Sequence, residues 1–451
     1  MAIIPQAHLF SWENIEAESD LTRLSYVLGA LPDEKLMRKL EVRRGRGRDD
    51  YPVRPTWNSL IAGALFEHKT IESLRRELCR NGELRQACGF DPAKALFAVP
   101  TPRAYTNLLR SLMECWDEVE AMFDELVEKL AKLLPDFGAR LAVDSKAIAS
   151  FAKNKNKKRS PDGRRDVDAD WGKKQYRGIN EDGTAWSKLV KWFGYKLHLI
   201  VDSKYELPVG FEVTRASASD QKHLLPLLAR LKEKHPDLIE RAEYASADRG
   251  YDSEEHNREL YDDYGIKPVI DIRHMWKDGE PTRPLDPDRV DSIVYDEDGT
   301  IFCICPSSDE RREMAYCGFE ADRGTLKYRC PAAAYGLQCA GRNICAPRKS
   351  DYGRIVRVPI ELDRRLFVPL PRSSYAWQRE YDKRTAVERV NSRLDVSFGF
   401  ELHTIRGEKK MRLRAGLALV VMLSLAVGAI EAGHKAQMRS LVRCLPKRAV
   451  A

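Results

Sequence analysis

From Arg140 to Ile272 short apolar runs alternate with amphipathic stretches, and two of the runs stop on an aspartate. Leu141-Ala-Val leads into Asp144, and Glu243-Tyr-Ala-Ser-Ala leads into Asp248. Runs this short read as strands, not helices. Trp192 to Asp202 and Leu207 to Thr214 form an antiparallel pair across a turn at Ser203 and Lys204. Gln221 to Lys234 reads as a helix capped by Asp220. Ser253 opens another, with Glu254 and Glu255 in its first turn and Gly265 after its end. Lys267-Pro-Val-Ile-Asp-Ile is the last strand. This order of strands and helices predicts an α/β fold, a mixed sheet with helices packed on it.

A third acid, Glu388, lies in the helical stretch Tyr375 to Leu394. Tyr381, Arg384 and Glu388 stand at i, i+3 and i+7, which puts them on one helix face. Arg384 can orient a phosphate or hold Glu388, and Tyr381 can reach a phosphate through its hydroxyl. Carboxylates from two strand ends and a helix suit hard divalent cations, Mg²⁺ or Mn²⁺. A pair of such ions activates the attacking oxygen and stabilises the leaving one in phosphodiester chemistry. On this reading Asp144, Asp248 and Glu388 are the catalytic residues and metal ligands. A single Asp is more often a cap or a surface ion-pair partner; three acids in this order and context favour a site. Asp202, Asp220 and Asp252 are reserve acids, Asp220 read as a cap and Asp252 as a turn acid. His198, two residues after Lys196, is either near the site or a satisfied core histidine.

At 451 residues the chain is long enough for two or three domains. Residues 1–137 read as helical, with helices at Ile71, at Ala104 after Pro100-Thr-Pro, and from Met122 to Leu134. Arg75, Arg76, Arg80 and Arg85 give this part a basic face, either a DNA grip or a solvated surface. Residues 138–273 hold the first part of the sheet domain. Residues 274–374 are rich in Pro, Gly, Asp and Arg, carry six of the ten cysteines, and read as a β-rich insertion. Residues 375–451 return as helices. Ala415 to Ile430 is apolar but shorter than the roughly 20 residues of a membrane span, so a core helix is expected. The N-terminus shows no signal-peptide pattern, so a cytoplasmic, nucleoid-associated protein with reduced cysteines is expected, with no membrane contact.

Net charge is only +8, so the distribution of charge matters more than its total. Residues 153 to 177 hold ten Lys or Arg against four Asp, a net of +6. The segment reads as a polar loop that grips phosphates through counterion release, the alternative being a solvated loop. Four thiolates, at Cys303, Cys305, Cys330 and Cys339, could hold a structural Zn²⁺, although the spacing contains no pair of C-x-x-C knuckles. The alternative is a set of reduced, partly buried thiols. The remaining scattered cysteines, Cys79, Cys88, Cys115 and Cys444, read as core.

Several segments together resemble the DDE transposases of bacterial insertion sequences, of the IS-four/IS-five-like kind. They are Ala142-Val-Asp-Ser-Lys, Asp168-Ala-Asp-Trp-Gly-Lys-Lys, Gly194-Tyr-Lys-Leu-His, Ala247-Asp-Arg-Gly-Tyr-Asp and the Tyr-x-x-Arg-x-x-x-Glu of 381 to 388. Leu84-Arg-Gln-Ala-Cys-Gly-Phe followed by Val99-Pro-Thr-Pro resembles the end-binding part of such proteins. The resemblance implies a ribonuclease-H-like catalytic domain and cleavage at element ends followed by strand transfer into target DNA. It implies two Mg²⁺ or Mn²⁺ ions on Asp144, Asp248 and Glu388, and a homodimer on double-stranded DNA. DNA contacts are expected at Tyr381, Arg384, Lys173, Lys174, Lys196 and Arg249. Relatives often carry a Lys seven residues after the Glu. This chain has Asp395 there, with Arg389 and Arg393 nearby, which leaves the subgroup and any hairpin intermediate open. Some relatives stack a flipped base on a Trp; Trp276 and Trp377 flank the insertion here, and core positions are the better expectation. Two other readings stand beside transposition: a ribonuclease-H-like nuclease without strand transfer, and an inactive DNA-binding derivative.

Overall fold

The computed structural model describes residues 20–46, 50–152, 166–180, 182, 184–288, 292–308, 310–345 and 351–440. The most basic part of the expected loop, 153–165, and Cys444 lie outside the described residues.

Seven helices open the described chain: α1 (Asp20–Ala30), α2 (Glu34–Arg44), α3 (Val53–Leu65), α4 (Ile71–Arg80), α5 (Gly82–Ala87), α6 (Pro102–Glu114) and α7 (Trp116–Leu133). Their starts follow from local chemistry. Thr70 and Ser73 form a reciprocal capping box on α4, Asn81 caps α5, and Thr101 caps α6 just before Pro102.

The sheet follows, with β1 (Arg140–Ala149), β2 (Asp170–Ile179), β3 (Ala185–Asp202), β4 (Leu207–Arg215), β5 (Tyr244–Ala247) and β6 (Lys267–Ile270). The strand order is β2-β3-β1-β5-β6, with β4 also paired to β3. β3 runs antiparallel to β1, β2 and β4, while β5 and β6 continue parallel to β1. Helices α8 (Gln221–Lys234), α9 (Pro236–Arg241) and α10 (Glu254–Asp262) make the crossovers. This is the ribonuclease-H-like mixed sheet.

Two local expectations need correction. The polar segment before Ser187 is not all loop: residues 170–179 form β2, paired with the first half of β3 over the full register Asp170↔Gly194 to Ile179↔Ala185. β3 therefore begins at Ala185 instead of Trp192, and its 18 residues serve two purposes. Its second half lies in the core between β1 and β4, and its first half makes a solvent-facing ribbon with β2. Asp220 occupies the cap position of α8 but makes no capping bond, because its carboxylate accepts from Lys196 Nζ at 2.9 Å. By contrast Ser253 does cap α10, and Gly265 (φ 70°) follows that helix in the left-handed region.

Beyond β6 come two small antiparallel sheets. One holds β7 (Arg283–Pro284), β8 (Ile293–Tyr295), β9 (Ile301–Ile304) and β10 (Arg311–Glu313). The other holds β11 (Ala315–Glu320), β12 (Thr325–Arg329) and β13 (Ile355–Pro359), with short helices α11 (Pro331–Tyr335) and α12 (Arg342–Cys345) between its last two strands. The chain then returns to the main sheet through α13 (Tyr375–Tyr381), α14 (Thr385–Val396) and α15 (Glu408–Glu431). A 3₁₀ turn at Asp382–Arg384 separates α13 from α14, so the expected single helix is two.

From Ala415 to Ala429 α15 is buried all round its circumference, and the residues there are apolar or small. It packs on α7, α1, α3 and β4. Its 24 residues are long and apolar enough to cross a membrane, yet 89% of its most apolar stretch is buried inside the protein, as a core helix requires. Gly428 lets α1 lie directly against it, since a Cβ there would collide with the Tyr26 backbone. One continuous cluster of buried side chains runs from Leu24 through the sheet to Met438. A second, smaller cluster, including Ile293, Ile301, Leu326, Tyr328, Val358 and Phe367, holds the segment after β6.

Candidate active site

The parallel pairing of β1 with β5 aligns Val143 with Ala247, so Asp144 and Asp248 follow as neighbours at adjacent strand positions. Each carboxylate is oriented by backbone: Asp144 Oδ1 accepts from Ser145 N at 2.7 Å, and Asp248 Oδ1 from Gly250 N at 2.9 Å. Glycine is needed at 250, where a Cβ would come within 2.7 Å of that same Asp248 oxygen. Burial, and then the charge of Asp248, push the Asp144 carboxyl up to about 6, against the opposing pull of Lys174, the Ser145 N–H and Arg384.

The helical side of the site is an aromatic and cationic ladder. Trp377, buried, stacks on Tyr381 with ring centroids 4.6 Å apart and planes 11° from parallel. The Arg384 guanidinium lies 5.5 Å from the Tyr381 ring centre. Arg384 then binds Glu388, Nη2 to Oε1 at 2.8 Å. Burial works against the Arg384 charge, but Tyr381, Glu388 and Asp144 outweigh it and raise its pKa. Arg384 is thus the electrostatic link between Glu388 and Asp144. Glu388 itself is half exposed and turned to Arg384.

Among the described residues no three His, Cys, Asp or Glu side chains are already drawn together as a metal-binding group. The donor chemistry nevertheless suits a divalent cation. Two hard carboxylates stand side by side, and Asp144 is raised by its own burial and its partner's charge, so a cation would relieve both.

Sequence reasoning missed one acid, Asp271, which ends β6 as Asp248 ends β5. It is held by Arg249, Nη2 to Oδ2 at 2.8 Å. The signal was present, since Lys267-Pro-Val-Ile also stops on an acid. The other expected DNA contacts divide. Lys174 acts on Asp144 electrostatically. Lys196 is engaged by Asp220 and by Ala218 O at 2.7 Å, and Arg249 by Asp271. Lys173 lines a groove of about 870 Å³ with Trp171, Lys191, Lys196, Gly250 and Arg273. Trp171 is 51% exposed, an aromatic face presented to solvent beside these cations.

Asp395, where relatives often carry the Lys, is ion-paired with Lys146 on β1. Arg389 and Arg393 are both tied to Glu206 in the β3–β4 turn, so neither faces the aspartates as a substitute cation. His198 pairs across β1 with Ser145 instead of Asp144, which puts it on the opposite face of the sheet. There it stacks on His223 at 4.6 Å and meets Thr214 Oγ1 at 2.9 Å; burial and His223 lower its pKa to about 4. Asp202 accepts from Gly138 and Tyr205 N–H groups, and Asp252 from Arg365 at 3.0 Å, so both are structural. Trp276 is half-buried under Arg283, 4.1 Å from the ring centre. Of the four N-terminal arginines, Arg75, Arg80 and Arg85 are spent on Glu72, Glu77 and helix carbonyls, while Arg76 is exposed.

Residues 139–334 match the family model described as a transposase DDE domain. Over 82 residues the chain is 39% identical to a putative transposase for insertion sequence element IS402 from Burkholderia cepacia. That alignment spans 17% of this chain and 37% of the relative's length.

Proposed function

We propose that this chain, a member of the DDE transposase family of insertion sequences by its 139–334 segment, cuts DNA at element ends and joins them to target DNA. The observation that carries the proposal is the side-by-side placement of Asp144, midway along β1, and Asp248, just past the end of the parallel strand β5, with Asp144 coupled through Arg384 to Glu388. Asp144, Asp248 and Glu388 would hold divalent cations, Glu388 by turning from Arg384. When bound, these ions would supply Lewis acidity to the attacking and leaving oxygens.

The chain's own groups do the rest. Arg384, on release from Glu388, faces the scissile phosphate with a planar fork of donors. Tyr381 keeps that guanidinium in place from below. Lys173 and Lys191 lead the backbone of a bound strand along the groove towards Gly250, and Trp171 offers a stacking face. In the first step water attacks phosphorus and the 3′-oxygen leaves with a proton. In the second that 3′-hydroxyl attacks a target phosphodiester, and the target's own 3′-oxygen leaves. The N-terminal helices would recognise the ends, and two chains would act together because two ends are joined. The partners are thus double-stranded DNA at ends and target and a second copy of the chain.

Labelled end DNA with Mg²⁺ or Mn²⁺ tests the reading. A strand-transfer product is expected, and Asp144→Ala, Asp248→Ala or Glu388→Ala should abolish it while leaving end binding intact. Nicks without joined product would instead indicate a nuclease, and wild-type cleavage in any of the three variants would remove that residue from the site.

A further inference from the structure

The strands after β6 bring together cysteines that are far apart in sequence. Cys303 and Cys305 stand two residues apart along β9 and its exit, so they share one side of that strand. Cys330 sits between β12 and α11, Cys339 in the loop after α11, and Cys345 at the end of α12. All five line one enclosed cavity of about 40 Å³. The cavity exceeds the 10–15 Å³ or so that holds one water-sized probe. The backbone closes tightly around the sulfurs. A Cβ on Gly341 would stand 3.0 Å from Cys305 Sγ, and one on Gly353 would stand 2.8 Å from Cys330 Cβ. Arg312, Arg342 and Arg354 complete the wall. Cys317 is exposed on β11 outside this wall.

This constellation suits one ligand class. Thiolates are soft donors that select zinc among the common divalent ions, and four of them enclose it tetrahedrally with Zn–S distances of about 2.3 Å. A tetrathiolate zinc centre carries two net negative charges; in the wall Arg312 is paired with Glu310, and Arg342 and Arg354 are the other cations beside the thiols. The need is also physical. The strands here are two to six residues long, and their buried cluster is small, the situation in which a metal staple commonly supplies the missing stability.

We propose that four of the five thiols at Cys303, Cys305, Cys330, Cys339 and Cys345 bind one structural zinc ion that fastens the 301–345 segment. Among the described residues these cysteines do not already form a ligating group, so binding would require their side chains to turn towards one point in the cavity they line. The site is separate from the DDE acids, and its test does not depend on transposition.

The experiment uses the full chain purified under reducing conditions. Elemental analysis should find one zinc per chain. Cobalt(II) in its place should give the thiolate-to-metal charge-transfer band and the visible bands of a tetrahedral centre. Cys330→Ser with Cys339→Ser should cut bound zinc at least tenfold, whereas Cys79→Ser with Cys317→Ser should leave it unchanged. Should the first pair fail to fold, the wild-type chain still decides: a strong chelator should expose four additional thiols to a colorimetric thiol reagent. Absence of zinc and of cobalt bands, thiol reactivity indifferent to chelator, or disulfides among these five cysteines would each overturn the proposal.

Discussion

Asp144→Asn should stabilise the metal-free protein at neutral pH while abolishing cleavage. The Asp144 carboxyl is raised from 3.8 to about 6, mainly by burial and then by Asp248. A group whose folded pKa lies above its unfolded value binds protons more tightly in the folded state. Its ionisation therefore weakens the fold as pH rises between the two values, and the penalty is complete above the higher one. The gap corresponds to about 3 kcal/mol at about pH 7.5, shrinking to a few tenths by about pH 4. Asparagine keeps the oxygen that accepts from Ser145 N–H and removes the charge. Chelator-treated wild type and variant would be unfolded in urea at both pH values. The variant should be more stable at the higher pH by up to about 3 kcal/mol, and the two should nearly coincide at the lower. Added Mg²⁺ should stabilise the wild type by mass action and the variant much less. A variant equal to or weaker than wild type at neutral pH, or one whose advantage persists undiminished at about pH 4, would refute the account of two repelling carboxylates.

Three other outcomes are expected. Arg384→Gln should lower cleavage by on the order of a hundredfold, the usual loss when a preorganised donor to a developing charge is removed, with end binding in a gel-shift assay unchanged. Lys173→Ala with Lys191→Ala should weaken DNA binding and flatten the plot of log affinity against log salt by about two, measured by fluorescence anisotropy. Gly428→Ala should destabilise the fold by about 1–3 kcal/mol in denaturant titration, because α1 has no room to give way against α15.

The sheet was legible because burial leaves a signature: Val143 and Ala247 end apolar runs and an acid follows each, although β1 runs on past Asp144 to Ala149 while β5 stops at Ala247. β2 was not legible because nothing buries most of it. Lys173, Lys174 and Gln175 are exposed, so no alternation marks the strand, and its partner is a half of β3 whose own residues from Ala185 to Lys191 are exposed. The Asp220 cap failed for a similar reason, since a lysine two strands away competes for the carboxylate and sequence spacing cannot register it. The break at Asp382–Arg384 is invisible to helical periodicity because one 3₁₀ turn keeps Tyr381 and Arg384 in contact. The pairing of Asp395 with Lys146 needed the packing of α14 on β1, which only the folded chain supplies.

β3 is a single unbroken strand from the outer ribbon to the centre of the sheet, where Leu199 lies opposite Asp144. No hinge intervenes: at Gly194 the same residue is bridged to β1 and to β2. The ribbon therefore works as a handle on the chemistry. A displacement of its tip would be carried along one continuous backbone to the residue beside the first aspartate.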